Sequence, residues 1–199
     1  MILTPLLILI GGKPGTGKST LAQRLARPEQ LGLPLLSRDA IKVGLVETYA
    51  LSEPTLSRVE VESDARRSTI VPNSFSLFHD TIAQWLRAGV SLIAEHSFTQ
   101  RSTAAFVPMR EIATVVFVEC RTSDEEAQRR FLERELRDPR QRPDRLALMQ
   151  LRIDQGSDPW TTSTPFVLDV PTLHVDTTDG YTPTVDQIVT FCRKAMTIE

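Results

Sequence analysis

The most specific chemistry in this chain lies in eight consecutive residues. Gly12-Lys13-Pro14-Gly15-Thr16-Gly17-Lys18-Ser19 fits GxxxxGK[ST] at every fixed position, a spacing that lets the backbone curl until successive N–H groups face one phosphate. A helix starting at this point adds its positive end to the same anion. Lys18 then neutralises β/γ-phosphate oxygens and the Ser19 hydroxyl ligates Mg²⁺. With Thr20 behind them, these residues form the expected nucleotide cradle. A dinucleotide-binding turn has no need of the Lys-Ser pair, so it fits poorly. A glycine-rich turn with an incidental lysine is the bland alternative, and the agreement of pattern and flanking elements weighs against it.

Such a loop needs a strand before it and a helix after it. Residues 6–10 are a continuous apolar run ended by Gly11-Gly12, which reads as a strand buried on both faces. Residues 19–26 have helical spacing in Leu21 and Leu25 and stop before Pro28. The unit repeats: residues 33–36 form a short apolar piece, followed by Ser37-Arg38-Asp39 and a helical pattern in Ile41, Leu45 and Val46. Phe75, Phe78, Ile82, Trp85 and Leu86 mark a core-facing helix ended by Gly89. Further β-type runs fall at 90–94, 114–118 and 172–175, with a brief pairing expected at 166–168. Helices are expected at 102–110, 124–137, 144–153 and 184–195. This alternation gives an α/β fold with a mainly parallel sheet of five strands.

Length and composition agree. The chain has 199 residues, 41% of them hydrophobic, with 23 basic and 25 acidic side chains. That balance suits one folded domain over 1–199 and excludes a disordered or collagen-like chain. A net charge of -2 removes the long-range pull on polyanions, so a nucleic-acid partner would need a local patch. Cys120 and Cys192 are far apart, which indicates neither a disulfide framework nor a zinc site and points to a reducing cytoplasm. The apolar opening lacks a preceding basic residue and is too short to span a bilayer, so no membrane partner is expected. Three of the four lysines, Lys13, Lys18 and Lys42, fall in the first quarter of the chain.

Beyond the loop, several segments carry a resemblance by their order: Leu36-Ser37-Arg38-Asp39-Ala40-Ile41-Lys42, Leu92-Ile93-Ala94-Glu95, Arg130-Phe131-Leu132-Glu133-Arg134 and Val175-Asp176-Thr177-Thr178. With them the sequence resembles the small P-loop kinases of the AAA_33, zeta-toxin, chloramphenicol-phosphotransferase and polynucleotide-kinase group, within the nucleoside-monophosphate-kinase-like fold. The resemblance implies a three-layer P-loop NTPase fold with a helical insert near 53–80 and an arginine-rich lid near 130–152. It further implies ATP and Mg²⁺, and transfer of the γ-phosphate to a hydroxyl of a small-molecule acceptor.

By the same resemblance Asp39 accepts the acceptor's proton and Lys42, where many relatives have Arg, holds substrate or phosphate. The rival reading of Asp39 is a helix N-cap. Arg130 and Arg134, on one helix face by their i,i+4 spacing, match the pair that clamps phosphates at the base of the lid. A solvated charged face is the alternative for them. Arg140 and Arg142 belong with the lid. Glu95 stands where relatives often have Asp; its expected roles are holding Mg²⁺ through water, binding an acceptor hydroxyl, or orienting Arg101. Asp176 and Thr177 match the loop beside the base. Arg58, Arg66, Arg67, Asn73 and His79 are acceptor-side candidates, although His79 beside Phe75 and Phe78 reads more simply as packing. Trp85 and Trp160 read as packing residues.

Three rival functions share these residues. A 5′-hydroxyl polynucleotide kinase and a sugar-nucleotide kinase keep the chemistry and change the acceptor. A nucleotide-binding switch or ATPase keeps only the loop. The sequence fixes neither the acceptor nor an oligomeric state.

Overall fold

The computed structural model describes residues 4–52, 70–137, 146, 149–150, 153–156, 158–161 and 164–196. Strand β1, Leu6–Gly11, is buried at every position, because it lies at the centre of a five-stranded sheet in the order β2-β3-β1-β4-β5. The neighbours are β2, Leu35–Ser37, β3, Leu92–Glu95, β4, Thr114–Arg121, and β5, Thr172–Asp176. Every pairing is parallel. Parallel neighbours require crossovers, and these are helical, which covers both faces of the sheet and accounts for the unbroken apolar runs. The expected three-layer α/β P-loop fold is therefore the observed one.

Alternation along β1 divides the core in two. Leu6, Ile8 and Ile10 point to one face and pack with Leu21 and Leu25 of α1, Lys18–Leu25, and with Ile188 and Cys192 of α6, Val185–Met196. Leu7 and Leu9 point to the other, against Phe78, Ile82 and Leu86 of α3, Ile70–Arg87. Ser74, Phe78, Ile82 and Leu86, one every four residues, form the buried stripe of α3. Each aliphatic side chain so buried contributes about 1.5–3 kcal/mol relative to exposure. A third cluster of Ala127, Phe131 and Trp160 joins α5, Asp124–Arg137, to the segment that follows the lid region.

Three local expectations differ from the structure. The helix expected at 102–110 is α4, Gln100–Phe106, followed by a 3-10 turn over Pro108–Glu111, because Pro108 supplies no N–H to continue the ladder. Residues 166–168 form no strand: Phe166 and Leu168 are buried among Phe98, Phe106 and Phe117 while Val167 is exposed. The alternation there reflects one-sided packing of a loop. The helix α2, Arg38–Ser52, begins two residues before Ala40, the start that an N-cap at Asp39 implies, which places Asp39 in its first turn instead of at its N-cap. Of the insert, residues 53–69, with Arg58, Arg66 and Arg67, lie outside the described residues, as do Arg140, Arg142 and most of the helix expected at 144–153.

Candidate active site

The loop leaves β1 at the carboxyl end of the central strand, where the chain order reverses on either side of β1. Crevices at such a switch point are where open α/β sheets bind ligands. Gly12, Gly15 and Gly17 have positive φ. At Gly15 the requirement holds on two counts: φ is +84°, and a Cβ would collide with the Ala127 carbonyl oxygen. The loop is thus wedged under α5. The Thr16 hydroxyl donates back to the Lys13 carbonyl at 2.9 Å, and the Thr16 carbonyl accepts from the Thr177 hydroxyl at 2.9 Å. Lys18, Leu21, Ala22 and Leu25 form the buried face of α1.

Strand register explains why Glu95 belongs to this site. Ile10 is aligned with Glu95 in the β1–β3 pairing, and Ser37 with Glu95 in the β2–β3 pairing, so three strand ends converge. The Ser19 hydroxyl donates to Glu95 Oε1 at 3.0 Å and the Ser37 hydroxyl to Oε2 at 2.8 Å. Lys18 Nζ stands 3.9 Å from Oε1. The carboxylate is 3% exposed, and a charge so enclosed persists only with partners of this kind. Orientation of Arg101, one of the roles expected for Glu95, finds no contact among the described residues.

On the next strand, the change from β2 to α2 sets Arg38 and Asp39 side by side. Arg38 is buried, its guanidinium 4.0 Å from the Phe75 ring centroid, donating to the Ser74 hydroxyl at 2.9 Å and lying 3.7 Å from Asp39 Oδ1. Asp39 is half exposed at the sheet edge, and Lys42 follows one turn along the same helix. His79 is a packing residue, as expected, with its ring against Phe75, Phe78 and Phe106.

His96 was not legible as a site residue. It continues β3 by one position, donating its N–H to the Ile10 carbonyl at 3.2 Å, and its ring meets Phe75, Phe78 and Phe98. Burial first, then the Arg38 guanidinium, pushes its pKa down to about 3, with Lys18 and His79 acting in the same direction and Asp39 opposing. It is a neutral imidazole beside Asp39. The only signal in the sequence is its place after Glu95, where strand alternation turns it to the opposite face.

The remaining candidates divide. Arg130 reaches the loop after β5, donating to the Thr177 carbonyl at 2.8 Å and the Thr178 carbonyl at 2.6 Å, with Glu126 as its ion-pair partner. Arg134 instead lies over Phe131 and pairs with the buried Glu135 at 3.0 Å. The two arginines therefore leave one helix toward different neighbours. Asp176 accepts the Thr178 N–H at 2.7 Å and so shapes that loop. Lys13 turns outward: its ammonium bonds Asp124 at 2.6 Å and the Trp160 carbonyl at 2.5 Å. Cys120 lies behind the loop, its thiol pushed up to about 12 by burial and inert as a nucleophile. Among the described residues no helix is long and apolar enough to cross a membrane.

Comparison with known proteins agrees with this geometry. Residues 7–153 match the AAA_33 family, an AAA domain. No curated protein matches. A candidate kinase from Chloroflexus aurantiacus J-10-fl is 28% identical over 98% of this chain and 97% of its own, with a TM-score of 0.69. A sugar kinase from Janibacter sp. HTCC2649 is 19% identical over 98% of this chain and 99% of its own, with a TM-score of 0.59, and speaks for the fold alone.

Proposed function

Because the chain belongs to the AAA_33 family, with the fold of the P-loop kinase group, we propose that it is an ATP- and Mg²⁺-dependent phosphotransferase that moves the γ-phosphate to a hydroxyl of a small-molecule acceptor. One observation carries the reading: Lys18, Ser19 and Ser37 converge on the buried Glu95 while Asp39 stands just beyond the adjacent strand, in the first turn of α2. A loop serving only as a structural turn has no use for a buried carboxylate holding its Lys-Ser pair. The kinase assignment of the Chloroflexus protein supports the same class.

The donor set suits Mg²⁺. Hydroxyls and a carboxylate are hard oxygen donors. Among the described residues no cluster of three or more His, Cys, Asp or Glu competes as a metal cage. That matches an ion carried mainly by phosphates and water, which Ser19 would hold directly and Glu95 through the Ser19 hydroxyl. When bound, the ion neutralises charge on the β- and γ-phosphates.

Lys18 and the loop N–H groups hold the phosphates in line. Asp39 takes the proton of the acceptor hydroxyl as its oxygen bonds to the γ-phosphorus. The bond to the β–γ bridging oxygen breaks, and its electron pair stays with ADP. Arg130 would fix the loop beside the base, as its bonds to the Thr177 and Thr178 carbonyls suggest, and Arg134 would have to leave Glu135 to reach the transferring group. Lys42, one turn beyond Asp39 on α2, is our candidate for holding the acceptor, and the neutral imidazole of His96 would act by packing behind Asp39. The near-zero net charge favours a small acceptor over a polynucleotide, and a dependence on ATP fits the cytoplasm.

Incubation with γ-labelled ATP and a fractionated metabolite extract tests the reading. A discrete fraction acquires label if it holds. ATP consumption that no metabolite or oligonucleotide accelerates would support the switch or ATPase alternative instead.

A further inference from the structure

Trp160 touches the phosphate loop from 146 residues away. Its indole N–H donates to the Pro14 carbonyl at 3.0 Å, and its own carbonyl accepts the Lys13 ammonium at 2.5 Å. The ring is 3% exposed and packs edge-on against Phe131 of α5, 5.5 Å between centroids. Asp158 Oδ1 in turn accepts the Trp160 N–H at 2.8 Å. Asp124, at the start of α5, completes the enclosure by binding the same ammonium at 2.6 Å. Two consecutive residues of the loop are therefore held by one tryptophan.

The consequence follows from peptide geometry. The Pro14–Gly15 bond is trans, so the Pro14 carbonyl and the Gly15 N–H point in opposite directions from one plane. Glycine at 15, with φ at +84°, offers no side chain to set that plane. A hydrogen bond on the carbonyl sets it. With the carbonyl committed to the indole, the Gly15 N–H is turned away from Trp160. Among the described residues that N–H has no backbone acceptor.

We propose that Trp160 is a positioning residue for the phosphate cradle: its indole N–H fixes the Pro14–Gly15 peptide, and its carbonyl, with Asp124, holds Lys13 aside, so that the Gly15 N–H is presented to the outer phosphates. The inference rests on the loop binding a nucleoside triphosphate, and is independent of which acceptor is phosphorylated. Since Trp160 belongs to the segment after the lid and leans on α5, the same contact ties the loop to the helix bearing Arg130 and Arg134. A packing role alone would require only the ring.

Titration calorimetry with the full chain distinguishes these roles, using Mg²⁺ with the non-hydrolysable analogue AMPPNP in one arm and AMP in the other. Trp160→Phe keeps a ring against Phe131 and removes the indole N–H. It is expected to weaken AMPPNP binding about five- to tenfold, the scale of one hydrogen bond, while AMP, lacking the outer phosphates, binds as to wild type. Asp124→Asn, which leaves the ring packing untouched, is expected to act in the same direction by loosening Lys13. If Trp160→Phe fails to fold, Asp124→Asn decides. Unchanged AMPPNP affinity in the folded variants, or equal weakening for AMP, overturns the positioning role. Absence of AMPPNP binding by the wild-type protein overturns the nucleotide reading along with it, whereas binding without phosphoryl transfer overturns only the proposed reaction.

Discussion

The Ser19 hydroxyl donates to Glu95 Oε1 at 3.0 Å, which binds the first turn of α1 to the end of β3 through a carboxylate shielded from water. Glu95→Ala would leave the Ser19 and Ser37 hydroxyls without this acceptor in an enclosed site, a loss of about 1–3 kcal/mol of stability. Glu95→Gln keeps an oxygen acceptor and loses the charge. Denaturant unfolding is expected to show a clear loss for Glu95→Ala and a smaller one for Glu95→Gln. Both variants are expected to need more Mg²⁺ for half-maximal nucleotide turnover. Equal stability of the two variants and wild type would remove Glu95 from the centre of the site.

Lys18 is buried, with its ammonium 3.9 Å from Glu95 Oε1, so Lys18→Met fits its apolar stem while deleting the ammonium. Loss of one such electrostatic group is expected to cost about 3 kcal/mol of transition-state stabilisation, 10²–10³-fold in turnover. The fold should persist with a lowered melting transition, because the buried Glu95 loses its cationic partner, so turnover is compared at a temperature where both proteins are folded. Turnover close to wild type would argue that the phosphates lie elsewhere.

Arg130 grips two carbonyls, Thr177 and Thr178, with separate nitrogens of one guanidinium. Lysine cannot reproduce that fork. Arg130→Lys is expected to weaken nucleotide binding roughly three- to tenfold, about one hydrogen bond, and to leave acceptor affinity unaltered. Calorimetry with Mg²⁺ and AMPPNP checks it, and an unaltered dissociation constant contradicts the role.

His96 gives the protein an acid-sensitive side. Its folded pKa, about 3, lies below the unfolded value of 6.5, so between these limits the unfolded chain binds a proton that the folded chain refuses. Stability therefore falls as pH drops through 6.5, by up to about 1.4 kcal/mol per unit for this group, and the loss levels off near the folded pKa. Arg38, Lys18 and His79 reinforce the refusal, and Asp39 opposes it. His96→Gln is expected to flatten the dependence of the urea midpoint between pH 7 and 5. Parallel loss in variant and wild type would place the sensitivity on other groups.

The features that sequence reveals here are local ones. The phosphate loop is contiguous, and its glycines answer to backbone angles that few other residues adopt, so motif and geometry coincide. β1 was equally legible because a strand buried on both faces must be apolar throughout. Glu95 was recognisable as a strand-end carboxylate, but its partner Ser37 comes from another strand, and only the register of β2 on β3 brings them together. Arg38 carries no mark of burial, since nothing in its neighbours announces Phe75 above it. Trp160 lies too far along the chain for any periodicity to relate it to Pro14. Residues 166–168 misled because alternation records one-sided burial, whether or not a neighbouring strand is present.

The most direct measurement is single-turnover transfer of label from γ-labelled ATP to the responsive metabolite fraction, comparing wild type with Asp39→Asn at saturating Mg²⁺ and ATP. The account predicts a labelled product with wild type and a loss of about 10²–10⁴-fold with Asp39→Asn, the scale of general-base catalysis, while both proteins bind AMPPNP equally. Transfer by Asp39→Asn at the wild-type rate, or no labelled product from any fraction with wild type, would contradict it.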